Sequence, residues 1–342
     1  MNTILGFQRE VINTAKRLIT EAVGEMLDVD SFVSSHTFRI ADLGCSVGPN
    51  TFLAVQNIIE AVQFKHQCQG LHYQLPEFQV LFNDHTLNDF NTLFSSLPPD
   101  RIYYAAGVPG SFYSRLFPNA SLHFVHSSYA IHWLSKVPKS VVDKSSPAWN
   151  KGRIHYSNSE VEVVKAYEAQ YAEDMECFLN ARAQEVVCGG LIALIIAGRP
   201  NGTLHSQTTH NMIYDLLGSC LMDMARKGII GEEKVDSFNL PMYFMSPKEL
   251  ETAVDRNGYF SIERMEDLPP ITELCIGNHP IGQIVKVNLR AVLDGVIKAH
   301  FGDVILDELF DSFGIKIEEG FQMIMSGGNL NFFALLRRKA MD

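Results

Sequence analysis

A chain of 342 residues that is 46% hydrophobic and 20% charged holds enough apolar material for one large or two ordinary domains, since single cores stop growing at roughly 250–300 residues. Its 28 Lys and Arg stand against 39 Asp and Glu, a net charge of -11 with no Lys/Arg-rich run, which argues against a phosphate-backbone binder and against nucleic acid as a partner. Six cysteines (Cys45, Cys68, Cys177, Cys188, Cys220, Cys275) form no CxxC pair, which argues against a disulfide scaffold and structural zinc and fits a reducing compartment.

Apolar residues at helical spacing from Val11 through Leu18 and Ala22 to Met26 predict one long helix ending near Asp28. This segment has no basic start followed by an apolar block, so it reads as part of the mature fold rather than as a leader. Thr37-Phe-Arg-Ile-Ala-Asp42 has the character of a buried strand, Gly44 to Asn50 is a turn, and Thr51 to Val62 returns to helical period. Further strands are expected at Phe78–Phe82, Ile102–Ala106 and Leu122–Ser127. A long helix follows over Glu160–Val187, and then an apolar strand after Gly189-Gly190. Strands separated by helices predict a doubly wound parallel sheet.

Beyond residue 200, Asn211–Lys227, Pro247–Asn257 and Lys286–His300 look helical, and Asn331–Arg338 reads as a last strand returning to the sheet. The expected division is a core over 1–200, a mainly helical cap over 201–330 and a closing strand in 331–342. The longest purely apolar run, Leu191 to Ala197, is far short of the roughly 20 residues of a membrane helix, so no membrane span and a cytoplasmic setting are expected.

The sharpest local signal is Ile40-Ala-Asp-Leu-Gly-Cys-Ser-Val-Gly-Pro-Asn-Thr51, which sets Asp42 at a strand end and Gly44 and Gly48 around a turn that opens a helix. Glycines let a ligand approach the backbone, and open α/β sheets bind ligands beyond the carboxyl ends of their strands. The spacing is neither GxGxxG nor a phosphate loop, and Asp42 would repel a pyrophosphate. An acidic turn suits a cationic ligand carrying an amino acid and a ribose, such as S-adenosylmethionine (SAM); a purely structural turn is the alternative.

Asp84, ending the second strand, is placed to accept hydrogen bonds from ribose hydroxyls, with a helix-cap role as the competing reading and Asp89 as a competitor. In Gly107-Val-Pro-Gly-Ser-Phe-Tyr113, Ser111 can hydrogen-bond and Phe112 can stack on an adenine or simply fill the core. After the fourth strand, Tyr129, His132 and Trp133 would share one face of a helix at i, i+3 and i+4 and line a small-molecule pocket.

These stretches, with Phe82-Asn-Asp84, Asn88-Asp-Phe-Asn91, Leu122-His-Phe-x-His-Ser-Ser-Tyr129 and Asp236-x-Phe-Asn239, resemble the plant salicylate/benzoate/theobromine (SABATH) methyltransferases, in the right order along nearly the whole chain. The resemblance implies a Rossmann-like methyltransferase sheet with a helical cap, usually a homodimer. It also implies methyl transfer from SAM to a small carboxylic acid or, in one branch, a xanthine nitrogen. Carried over by residue, Asp42, Gly44, Cys45, Asn50, Asp84, His85, Ser111 and Phe112 would surround the donor. Gln8 would hydrogen-bond the substrate carboxylate, and Tyr129, His132 and Trp133 would bind the acceptor. The cation site of many relatives would correspond to Asn150, Asp236, Phe238 (through its carbonyl) and Asn239, an oxygen set suited to Mg²⁺ or Ca²⁺, with a cap-and-turn role as the alternative.

The chain departs from the family at its start, where Met1-Asn-Thr-Ile-Leu-Gly6 stands in place of a segment that folds over the active site, so a shortened or disordered lid is expected. His85 stands where an apolar residue is common and His132 where salicylate enzymes tend to have Met. The reading is a SAM-dependent O-methyltransferase making the methyl ester of a small, largely apolar acid, without a general base. Gln8 and Trp133 would hold the carboxylate, while Tyr129, His132, Tyr214, Met242, Tyr243 and Leu289 shape the rest. The alternatives are an N-methyltransferase acting on a xanthine-type base and a catalytically silent SAM-binding protein.

Overall fold

A computed structural model describes residues 2–28, 36–70, 75–269 and 281–340, with backbone alone for 2–13 and 281. In chain order the elements are α1 (Asn2–Met26), β1 (Thr37–Leu43), α2 (Pro49–Cys68), β2 (Glu77–Asp84), α3 (Phe90–Ser95), β3 (Tyr103–Pro109), β4 (Leu122–Ser128), α4 (Val161–Glu185) and β5 (Val186–Gly198). Then come α5 (Thr209–Arg226), α6 (Glu232–Asp236), α7 (Pro247–Asn257), β6 (Phe260–Leu268), α8 (Ile281–Phe301), α9 (Leu306–Met325) and β7 (Leu330–Arg338).

The sheet runs β3-β2-β1-β4-β5-β7-β6, its first five strands parallel and β7 antiparallel to both β5 and β6. Alternation along β5 accounts for its central place. Leu191, Ala193 and Ile195 pack in one core with residues of α1 and α2, while Ile192, Leu194 and Ile196 pack in another with Tyr167, Met175 and Phe178 of α4. A third core joins Leu217 and Leu221 of α5, Leu293 and Ile297 of α8, and Phe310, Phe313 and Ile317 of α9. These helices form the cap. Among the described residues, no helix is long and apolar enough to cross a membrane.

Local chemistry sets the element ends. Gly48 and Pro49 open α2; Ser246 and Glu249 form a capping box at α7, with Pro247 at its first position, and Gly258 ends it in the left-handed conformation. Two expectations change. The stretch read as cap contains β6, a strand of the main sheet, because its partner β7 holds it there over Phe260–Leu268. Residues 129–133, directly after β4, are not helical: Tyr129 adopts a φ of +52°, and the chain turns to pair with 241–243 through Leu134 N–H to Pro241 O (2.7 Å) and Tyr243 N–H to His132 O (2.8 Å).

Candidate active site

The carboxyl ends of β1, β2 and β3 are laced into one surface. Asn83 O accepts from the N–H groups of Gly44 and Cys45 at 2.9 and 3.0 Å, and Asn83 Nδ2 donates to Val108 O and Gly110 O at 2.7 and 2.9 Å. Asp84 Oδ2 accepts from Ser46 N–H at 2.8 Å. Gly44 has no substitute here: its φ is +78°, and a Cβ would lie 2.3 Å from that of Ala130. Asn50 sits in the first turn of α2, which opens from this loop.

Asp89 caps α3 by accepting from Thr92 N–H at 3.0 Å, so the cap role falls to it and Asp84 is left at the turn. Asp42, by contrast, is buried with both oxygens engaged, one by His126 Nδ1 at 2.7 Å and the other by the Thr51 hydroxyl. It shapes the turn from behind rather than facing a ligand. Burial, reinforced by the charges of Asp42 and Asp84, pushes the Cys45 thiol up, so it stays protonated and is no nucleophile. His85 is exposed beside Asp84, and its Nδ1 accepts from Leu87 N–H at 3.1 Å.

Ser111 and Phe112 follow β3 on a loop fastened from two sides. On one side, the fully buried Arg182 donates to Phe112 O (2.7 Å) and Ser114 O (3.0 Å), and its ion-pair partner Glu185 accepts from the N–H groups of Leu116 (2.5 Å) and Phe117 (3.0 Å). On the other, Tyr113 OH donates to Trp133 O at 2.6 Å. Phe112 therefore stands beside Gly44, its ring 3.8 Å from where a Cβ there would be. Sequence reasoning misses Arg182 and Glu185, although a charged i, i+3 pair within the buried stripe of α4 is a legible signal.

Tyr129 and Trp133 pack with Tyr214, Met242 and Leu289 in the cap core, and Trp133 pairs antiparallel with Met242. The rings of His132 and His210 lie nearly parallel to that of Phe244, with centroids 5.4 and 4.9 Å away. Burial lowers the His132 pKa to about 3, helped by His210, and that of His210 to about 4; it raises the phenols of Tyr129 and Tyr214. Tyr243 lies elsewhere, in the α4-facing core, stacked on Tyr156 and Tyr171 with its hydroxyl donated to Glu249. It is a core residue because it follows Met242 on an extended segment and so points to the other side. The side chain of Gln8 lies outside the described residues.

Asn150 and Asn239 bond each other, and Asp236 binds the backbone two residues past Asn150. Asn150 Nδ2 donates to Asn239 Oδ1 (2.6 Å), Asn150 Oδ1 accepts from Ser159 (2.6 Å), and Asp236 Oδ1 accepts from Gly152 N–H (2.7 Å). Phe238 packs its ring on His300 and Phe301. With those oxygens turned to protein donors, the set does not fit Mg²⁺ or Ca²⁺, and among the described residues no group of three or more His, Cys, Asp or Glu is placed to hold a metal.

A mainly parallel sheet with a laced, acidic carboxyl edge beside a helical layer is the Rossmann-like architecture that binds a nucleotide-bearing ligand at the strand ends, as small-molecule methyltransferases do. A family profile described as SAM-dependent carboxyl methyltransferase matches residues 5–339. The loganic acid O-methyltransferase of Catharanthus roseus is 50% identical over 322 residues, 93% of this chain and 85% of that protein. The farnesoic acid carboxyl-O-methyltransferase of Arabidopsis thaliana is 40% identical over 334 residues, 97% and 94% of the two chains. A solved structure of loganic acid methyltransferase with SAH superposes with a TM-score of 0.91 at 48% identity, covering 98% of this chain and 94% of that one. The chain belongs to the SAM-dependent carboxyl methyltransferases, the SABATH family, and uses SAM to O-methylate a carboxylic acid. The 3,7-dimethylxanthine N-methyltransferase of Camellia sinensis is more distant, at 38% identity over 318 residues.

Asp84→Ala is expected to weaken SAM about tenfold or more, since a hydrogen bond to a charged acceptor contributes roughly 1.5–3 kcal/mol and the Ser46 amide also loses its anchor. Titration calorimetry reads this directly; unchanged affinity would remove Asp84 from the donor site.

Proposed function

We propose that this enzyme esterifies a small acid that arrives already ionised, held by Gln8 and Trp133 against the methyl donor. What supports this reading is the burial of the titratable groups assigned to the acceptor site, which favours their neutral forms. His132 and His210 are neutral, with pKa values near 3 and 4, and Tyr129 and Tyr214 keep their protons, so none of these four is suited to take one near neutrality. An acceptor that must lose a proton to react is poorly served. A carboxylate, with a pKa of about 4, is not.

Bound SAM supplies an electrophilic methyl group: a carboxylate oxygen forms the new C–O bond, the S–C bond breaks with its electrons going to sulfur, and no proton moves. The protein's share is alignment and exclusion of water, effects that can supply roughly 7–11 kcal/mol. Gln8 and Trp133 each offer a neutral N–H donor, which orients the acid without setting a cation beside the sulfonium.

Gln8→Ala and Trp133→Ala should each raise the barrier in kcat/KM for the acid by roughly 1.5–3 kcal/mol while leaving SAM affinity nearly intact. Normal turnover by the folded double variant would place the clamp elsewhere. Labelled methyl transfer should be assayed over a panel that includes loganic acid, farnesoic acid and xanthines, with base-labile ester as the expected product. Methylation of xanthines alone would overturn the reading. The rate profile should be flat from about pH 6.5 to 8.5 when chemistry limits; a step near pH 6.5 would point to an imidazole acting as base. A cytoplasmic homodimer is the proposed setting, on the family resemblance, and sedimentation of the purified chain tests the dimer.

A further inference from the structure

The donor turn lies at the carboxyl edge of the sheet. At the opposite edge, where β5 starts and β7 ends, a groove of about 540 Å³ opens between the last turn of α4 and the approach to β6, a size that suits a small molecule. Among the described residues lining it, Arg338 is the one that carries a charge. Arg338 is 8% exposed, yet its N–H donors are only partly met. Nε donates to Ala183 O at 2.8 Å, and Nη1 donates to Lys339 O and Tyr259 O at 2.8 and 3.3 Å. The two N–H groups of Nη2 meet no acceptor among the described residues. The rings of Tyr259 and Phe260, with centroids 5.0 and 5.9 Å from the guanidinium carbon, hold the fork in place. Asn119 and Asn180 also line the groove, and their Oδ1 atoms accept from Arg115 (2.6 Å) and Asn257 (2.9 Å), which leaves their amide N–H groups to a ligand.

We propose that this groove is a second binding site, for a small monocarboxylate with an apolar body. It stands apart from Gln8 and Trp133 and does not depend on the esterification reading. A nearly buried guanidinium with unmet donors is satisfied best by an anion, which accepts charge-assisted hydrogen bonds there. A cationic ligand would find no carboxylate in the lining, and a neutral alcohol would leave the charge uncompensated. A phosphate dianion would keep one charge unpaired beside a single guanidinium, in a chain whose net charge is already -11. Ala183, Val186 and the Tyr259 ring offer the rest of the acid an apolar wall.

Cys188, an exposed thiol in the same lining, gives a local readout. Its alkylation by N-ethylmaleimide is followed by peptide mass spectrometry without SAM, with the exposed Cys68 as internal reference. The ligands compared are cyclohexanecarboxylate, cyclohexylmethanol of the same carbon frame, and inorganic phosphate. The acid should slow Cys188 along a saturation curve, by about tenfold at ten times the half-protecting concentration, and leave Cys68 unchanged. The alcohol and phosphate should protect far less. Arg338→Gln should raise the half-protecting concentration about tenfold or more, and Arg338→Lys should raise it less, with SAM affinity as the check on folding. The comparison of acid with alcohol on the unaltered enzyme decides the matter even if both variants fail to fold. Equal protection by the alcohol or by phosphate, a Cys188 rate indifferent to the acid, or a thiol closed to the reagent in the ligand-free enzyme overturns the site.

Discussion

Arg182→Met is expected to lower the folding free energy by about 3–5 kcal/mol, because it leaves the Glu185 carboxylate buried without its cation. The same substitution should loosen the donor loop. Arg182 holds Phe112 O and Ser114 O, and Glu185 holds the amides of Leu116 and Phe117, so one buried pair on α4 fastens the loop from Phe112 to Phe117, directly after Ser111. SAM should therefore bind several-fold more weakly in the folded fraction, while the KM for the acid changes less. Arg182→Lys keeps the charge but not the forked donors, so it should restore part of the stability and little of the loop geometry. Denaturant unfolding and calorimetry with SAM separate the two effects. A variant with unchanged stability and unchanged SAM affinity would show that the pair is not what positions the loop.

What was legible in the sequence was what depends on neighbours along the chain. The strand ending at Leu43, the Gly44 turn and helix α2 follow from a short apolar run, a glycine and a Pro at a helix start, all close together in the chain. What a side chain meets across the fold was not legible. Asp42 reads as a ligand contact because it precedes the turn, yet its partner His126 is 84 residues away, on the neighbouring strand, and engages one of its oxygens. Tyr129, His132 and Trp133 have helical spacing, but Tyr129 takes a left-handed φ and the backbone pairs with 241–243 instead, a tertiary contact that overrides the local pattern. That pairing is also what divides Met242 from Tyr243 between two cores. Asn150 and Asn239 do meet; that their oxygens and that of Asp236 bond protein donors depends on Asn150 itself, Ser159 and Gly152, which no spacing rule selects.

Acid should destabilise the enzyme well above the range in which carboxylates titrate. Burial holds His132 and His155 neutral with pKa values of about 3, and His123, His205 and His210 with values of about 4; Arg39 adds to the effect at His123 and Arg199 at His205. In the unfolded chain each would titrate near 6.5. Between those limits the unfolded state binds more protons than the folded state, so stability rises with pH. The contribution is complete above about pH 6.5 and is lost as the pH falls toward the folded values. Each histidine removes up to about 1.4 kcal/mol per pH unit below 6.5. Glu168 and Asp174, whose carboxyls burial raises, act in the opposite sense but nearer their own acidic range. Thermal unfolding should thus shift downward by on the order of 10 °C between pH 7 and pH 5. His155→Phe keeps an aromatic ring among Tyr156, Tyr167 and Tyr214 and removes one titrating group, so it should make the slope of stability against pH shallower by about one proton. A melting temperature that does not change over that interval, or a slope unaffected by His155→Phe, would mean that these imidazoles are already protonated in the folded enzyme.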